Sequence, residues 1–182
     1  MKIGILSDTH GSIAAIRKVL AAAPPVECWI HCGDYAADAN ALHNITNQTV
    51  YAVSGNCDVM RGSVEAKQDC FLEIEGFKIW VTHGHLYMGE TRDISEMAWW
   101  GHSMEQDIVI FGHTHVPVFK QMSGIWLLNP GSPARPRGKR PRRFCRPDVK
   151  QRTDAGGGVF GSVEVRQFCD YRVNVKYGEI QI

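Results

Sequence analysis

No apolar run in this chain of 182 residues is long enough to span a bilayer. The N-terminal one follows a single Lys2 and is cut short by Asp8 and His10, so it lacks the make-up of a secretory leader. A repeated short cysteine spacing is missing too. Cys28, Cys32, Cys57, Cys70, Cys145 and Cys169 show no short repeated spacing, which excludes a zinc knuckle and a secreted disulfide framework. These absences predict a soluble, cytoplasmic protein with free thiols and no membrane partner. Net charge is also small, at +1, but the balance hides an asymmetry. Residues 135–152 carry nine Lys or Arg against one Asp, so eleven basic residues face eighteen acidic ones elsewhere. There is no internal repeat and no linker. With 44% hydrophobic residues the chain is expected to form a single domain over 1–182 with one site inside it.

The apolar pattern changes character halfway along. Residues 2–6, 28–30 and 49–53 are short apolar runs suited to strands buried on both faces. Helical spacings lie between them: Ile13, Ile16, Val19 and Leu20 behind a candidate cap at Ser12, then Ala39, Leu42 and Ile45. This order implies parallel strands joined by right-handed crossovers. Further on, CFLEI and FKIWVTH around Glu75-Gly76 read as a hairpin, 91–104 as a helix and 107–111 as another buried strand. Residues 116–122, 125–128, 159–167 and 172–182 are strand-rich with no helix between them, the pattern of a mostly antiparallel second half. The expected fold is α/β, two mixed β-sheets packed face to face with helices on the outside. Residues 130–158, dense in Pro, Gly and Arg, break the order and predict a basic, mobile loop over 133–158.

Metal-binding residue types follow nearly every strand. They are Asp8 and His10 in SDTH, Asp34 in HCGD, Asn56 and Cys57 in SGNCD, His83 and His85 in THGH, and His113 and His115 in GHTH. Ligands of open α/β sheets gather beyond the carboxyl ends of strands, so the five motifs converge without further assumption. Carboxylate and imidazole bind first-row divalent ions, and a carboxylate between two ions lowers their mutual repulsion. Asp34, alone in its motif, is the candidate bridge, while Asn56 adds a neutral oxygen that leaves the ions Lewis-acidic. A lone His at a strand end is ordinarily just polar; four of them in order with two acids and an amide make a binuclear centre the better account. His31, His43 and His102 lack that context and are expected in the core or on the surface.

The order DxH, GD, GN, GH, GHxH resembles that of the calcineurin-like metallophosphoesterase superfamily. SDTHG, HCGD, GNCD, THGH, GHTH and NPGS are similar to its small bacterial and archaeal phosphodiesterase branch. The resemblance covers about residues 1–132 and the terminal strands. It implies a four-layer α/β/β/α sandwich and a metal-dependent phosphodiesterase acting on a small phosphate ester. One ion is implied on Asp8, His10, Asp34 and His115, the second on Asp34, Asn56, His83 and His113. Manganese stands ahead of nickel, cobalt, zinc or iron, and a metal-bridging hydroxide is the implied nucleophile. One departure bears on catalysis. Where many members follow the Asn of the GN motif with a His that assists the leaving group, this chain has Cys57, a weaker partner near neutral pH. His85 is the other candidate for that role, its alternative being a loop hydrogen bond.

Two further readings compete. The retromer subunit of eukaryotes resembles the same branch and serves as a protein-interaction scaffold. Trp99 and Trp100, with Met97 and Met104 nearby, are expected to pack the outer helix on the sheet, with an exposed partner patch as the alternative. The basic run has one aromatic, Phe144, which limits nucleic acid to weak electrostatic binding by 135–152, with steering of substrate as a gain. A strand edge in the second half is open to pairing with a second copy. Asn129 to Ser132 form either the family's turn near the metals or a plain turn. One geometric requirement is sharp. Alternate strand residues point to opposite sides, so His113 and His115 converge only if the chain leaves strand geometry after Gly112.

Overall fold

The computed structural model describes residues 1–60 and 66–137 in full, and four later strands by their backbone. β1 (Ile3–Leu6), β2 (Cys28–His31) and β3 (Thr49–Ala52) run parallel, with Ile5 opposite Ile30 and Ile30 opposite Tyr51. The crossovers are α1 (Ile13–Ala22) and α2 (Asp38–Thr46). Ser12 caps α1 as expected, its hydroxyl accepting from the Ala15 N–H at 3.3 Å. α2 closes on Asn47, which takes the left-handed conformation at φ 55° that suits a helix C-terminus. A short α3 (Asn56–Met60) follows β3; five residues are too few to show a helical period.

The second sheet holds β4 (Asp69–Ile74), β5 (Phe77–Thr82), β6 (Ile108–Ile110), β7 (Val118–Met122) and β8 (Ile125–Asn129), with α4 (Ile94–Ser103) between β5 and β6. Its spatial order is β4-β5-β6-β8-β7. The hairpin at Glu75-Gly76 is present, and the second half pairs mostly antiparallel as expected, with β5, β6 and β8 mutually parallel inside it. α4 acts as a crossover, and the β7–β8 hairpin returns β8 alongside β6 in the same direction.

β9 (Cys145–Val149) pairs antiparallel with β1, and β10 (Val163–Gln167) pairs with β9, so the first sheet reads β10-β9-β1-β2-β3. β11 (Asn174–Lys176) and β12 (Glu179–Gln181) form a separate pair. The segment expected to be a loop over 133–158 therefore contains a strand. A ladder on the β1 edge needs only backbone donors and acceptors, which composition does not reveal. Residues 138–144 and 150–158 of that segment lie outside the described residues.

Alternation along the strands sorts the core into three layers. Ile3, Ile5 and Ile30 meet Ile79, Val81, Ile108, Ile110 and Leu128 between the sheets. Leu6 and Trp29, on the outer face of the first sheet, take Ile16, Val19 and Leu42 from α1 and α2. Trp80, Val109 and Leu127 do the same for Met97 and Ala98 of α4. Each such buried side chain contributes about 1.5–3 kcal/mol, which locks the helices outside and yields the α/β/β/α order. α4 divides its own apolar residues: Met97 is buried while Trp99 is 61% exposed, so Trp99 does not pack the helix on the sheet. Trp100 instead stands edge-on to Trp99 and Tyr87. Among the described residues no helix is long and apolar enough to cross a membrane.

Candidate metal centre

The loops after β1, β2, β3, β5 and β6 meet beyond the carboxyl ends of those strands. Asp8, His10, Asp34 and His115 each offer an atom, and these four lie within 4.8 Å of one another. His115 Nε2 is 3.0 Å from Asp8 Oδ1 and 3.2 Å from His10 Nε2, which lies 3.9 Å from Asp34 Oδ2. The other Asp34 oxygen faces a second cluster, with His83 Nε2 3.4 Å from Oδ1. Asn56 Oδ1 stands 3.2 Å from His83 Nε2 and 3.1 Å from His113 Nδ1. The seven residues expected at the centre thus fall into two groups that adjoin at Asp34.

The backbone is bent to achieve this. Asp8 (φ 55°), His10 (48°), Asp34 (56°), His113 (65°) and His115 (60°) all adopt the left-handed region, at about 1–2 kcal/mol each for residues with a Cβ. The requirement that the chain leave strand geometry after Gly112 is met: β6 ends at Ile110, and both histidines have positive φ. Such strain persists where the surroundings over-determine it. The Asp8 N–H donates to Gly33 O at 3.0 Å, Ser132 Oγ donates to Asp8 O at 2.7 Å, and Asp8 Oδ2 accepts from Ser7 Oγ at 2.5 Å and the His113 N–H at 3.2 Å. Gly112 is required by close approach, since a Cβ there would collide with Ser7 Oγ and lie 2.8 Å from Asp8 Oδ2.

Hydrogen bonds on the far side of two rings set their tautomers. His83 Nδ1 donates to Cys32 O and His115 Nδ1 donates to Arg135 O, each at 2.7 Å. Each ring then turns a bare Nε2 lone pair toward oxygens: His83 toward Asn56 and Asp34, His115 toward Asp8, whose Oδ1 is buried and accepts no hydrogen bond. Lone pair against lone pair is repulsive unless a cation or a proton sits between them. That donor set fits a divalent ion, with the second-side carbonyl contacts that orient metal-binding imidazoles.

The titration of the bare centre agrees. Burial lowers His115, but Asp8 outweighs it and the net direction is up, because a proton then fills the gap. Burial would raise Asp8, yet His115, His83 and Ser7 hold it below the ordinary carboxylate range. Burial, aided by the charge of His83, pushes His113 down to about 4. It also lowers His10, against Asp34 and Asp8.

Cys57 turns out to serve Asp34. Its N–H donates to Asp34 Oδ1 at 2.9 Å and its thiol to Oδ2 at 3.2 Å, while burial and that carboxylate push the thiol up to about 11. This geometry makes it a prop for the shared carboxylate. His85 lies beside the second group, its ring 5.3 Å from His83 and 6.2 Å from His113. Its Nδ1 is buried without a hydrogen bond, and burial lowers its pKa.

Several supports were missed in the sequence. Asp38 Oδ2 accepts from Thr9 Oγ1 at 2.6 Å and the Gly11 N–H at 2.9 Å, clamping the loop between Asp8 and His10. Thr9 Oγ1, having donated its proton, accepts from His31 Nε2 at 2.8 Å; burial keeps His31 neutral. Asp58 bridges two loops, accepting from the Ala36 and Gly55 N–H groups at 2.8 Å. Asn129 to Ser132, already a candidate turn near the metals, lie there: Asn129 donates to Gly112 O at 2.6 Å and accepts from the Gly131 N–H at 2.8 Å, bracing the His113 loop. The only signal for these was an acid or amide inside a motif loop. His43 and His102 are exposed, as expected of histidines outside the motifs.

An α/β/β/α sandwich with this centre defines a metal-binding hydrolase. The chain belongs to the calcineurin-like phosphoesterase superfamily, whose domain model matches residues 1–152. A phosphodiesterase of Methanocaldococcus jannaschii is 36% identical over 146 residues, spanning 72% of this chain and 83% of its own. The solved structure of the Escherichia coli phosphoesterase YfcE is similar at a TM-score of 0.62 and 27% identity, covering 81% of this chain and 88% of that one. Vps29 of Entamoeba histolytica, solved with zinc, shares the fold at a TM-score of 0.69 and 21% identity, covering 92% and 98%.

Proposed function

We propose that this protein is a phosphodiesterase working with two divalent ions, one held by Asp8, His10, Asp34 and His115 and one by Asp34, Asn56, His83 and His113. The observation that carries this reading is the pair of imidazoles, His83 and His115, each fixed from behind and aiming a bare Nε2 at oxygens. Bound ions supply Lewis acidity toward phosphoryl oxygens and lower the pKa of the attacking water. The chain itself holds that chemistry in place. Asp34, propped by Cys57, keeps one oxygen toward each group. His85, kept neutral by burial and standing beside His83 and His113, is the residue that hydrogen-bonds the substrate or its leaving oxygen on the second side. Oxygen and imidazole donors without a thiolate favour manganese, with nickel, cobalt, zinc or iron as alternatives. Free Cys28, Cys32, Cys57 and Cys70 support a cytoplasmic setting.

The metal-stripped protein, reloaded with each ion in turn, hydrolyses bis(p-nitrophenyl) phosphate. Asp34→Ala abolishes this, and retained activity would sink the shared-carboxylate assignment. A scaffold reading has one observation in its favour, the exposed Trp99 beside Trp100 on α4. Two ions bound per chain with no hydrolysis under any metal would put that reading first.

A further inference from the structure

Arginine reaches the rim of the centre on a strap that is tied to it. Ser132 Oγ donates to Asp8 O at 2.7 Å and accepts from the Arg135 N–H at 2.8 Å. His115 Nδ1 donates to Arg135 O at 2.7 Å, and the Arg137 N–H donates back to His115 O at 3.1 Å. Three hydrogen bonds therefore fix residues 132–137 to Asp8 and His115 and a fourth closes the strap on itself, so it cannot shift register without moving both. Arg135 and Arg137 flank Pro136, whose ring stiffens the backbone between them. Both are exposed, and neither meets a carboxylate among the described residues.

Charge balance indicates what these cations face. Two divalent ions against the carboxylates of Asp8 and Asp34 leave two positive charges. An attacking hydroxide and a singly charged phosphodiester cancel them. A plain diester thus gives Arg135 and Arg137 no counter-charge, although the strap that carries them is tied to Asp8 and His115. Arginine presents a planar fork that binds phosphate through two parallel hydrogen bonds, so a second phosphate matches both the charge and the donor geometry.

We propose that Arg135 and Arg137 form a subsite for a second phosphate, so that the preferred substrates are small phosphate esters carrying another phosphate on the same molecule. This rests on the phosphoesterase reading for what happens at the metals, but the subsite itself is a matter of binding. Adenosine 3′,5′-bisphosphate and adenosine 5′-monophosphate differ by one phosphate and serve as the probes. Their binding to the metal-loaded protein is measured by calorimetry, for the natural chain and for R135A/R137A. Both substitutions leave the backbone N–H and carbonyl groups that tie down the strap.

The natural chain prefers the bisphosphate, and the double variant loses about tenfold of that preference, the scale of one charge-assisted hydrogen bond. An unchanged preference, or an equal loss of both ligands, overturns the subsite. Failure of the phosphodiesterase reading looks different: the preference falls in the variant although the natural chain hydrolyses no ester.

Discussion

The two halves of the centre share Asp34 and differ in almost everything behind it. On the first side, Asp8 is fully buried and braced by Ser7, Ser132 and the His113 N–H, and its loop is clamped by Asp38 through Thr9 and Gly11. On the second side the oxygen comes from Asn56, a neutral and partly exposed amide whose nitrogen lies 3.7 Å from the Cys57 sulfur. Buried carboxylates crowded together are costly without cations, whereas an amide and two imidazoles are less so. On the two-ion proposal, the first half is therefore an anionic cage built in advance that draws an ion strongly, while the second, nearly neutral apart from Asp34, holds its ion more loosely.

Removing one oxygen ligand from each side is the most forceful way to break this contrast. Asp8→Ala weakens the first ion by more than the roughly 100-fold that loss of an outer partner can cost. Asn56→Ala weakens the second ion by less, because a neutral amide contributes little Coulomb energy. Metal titration by calorimetry, following two binding steps per chain, reads both effects. Equal losses in the two variants would show that the halves are alike and that the network behind Asp8 has no bearing on affinity.

The next effect is smaller and lies one layer back. Asp38 touches no expected ligand directly, yet it holds the hydroxyl of Thr9 and the N–H of Gly11 on either side of His10. Asp38→Ala lowers affinity for the first ion by roughly 10–100-fold and leaves the second step in place. Asp38→Asn, which keeps one acceptor oxygen, recovers part of the loss. A merely structural role would instead shift the unfolding temperature and both binding steps together.

How much of this was legible depended on range. Motif loops, the cap at Ser12, the Glu75-Gly76 hairpin and the crossover helices all follow from signals within a few residues, and they fell where expected. So did the convergence of His113 and His115, because a two-residue spacing in a strand has only one geometric remedy. Contacts distant in sequence were hidden. Asp38 reaches Thr9 across 29 residues and Asp58 reaches Ala36 across 22, and neither partner carries a pattern that names the other. The direction of β6 and β8, and the strand Cys145–Val149 within a stretch dense in Pro and Arg, depend on ladder pairing that composition cannot encode. Cys57 shows the same limit: sequence placed it next to Asn56, but only the fold turns its sulfur onto Asp34.

The mildest test uses pH on the metal-free protein, where one histidine from each half titrates in opposite senses. Burial and the charge of His83 depress His113 to about 4, below the ordinary value of 6.5. Its neutral form is the one the fold accepts, so the stability it contributes is present above pH 6.5 and is lost as pH falls toward 4. His115 runs the other way. Although burial opposes it, Asp8 raises its pKa above 6.5, so its contribution is fully present below pH 6.5 and is lost as pH rises through the raised value. NMR titration of the chelator-treated protein therefore finds His115 charging first on acidification and His113 last, with the two separated by more than the two units or so between 6.5 and about 4. Saturating metal erases the difference, since an ion on each nitrogen excludes the proton from both. If the two rings titrate together in the stripped protein, the two halves present the same field and the affinity contrast argued from Asp8 and Asn56 loses its electrostatic basis.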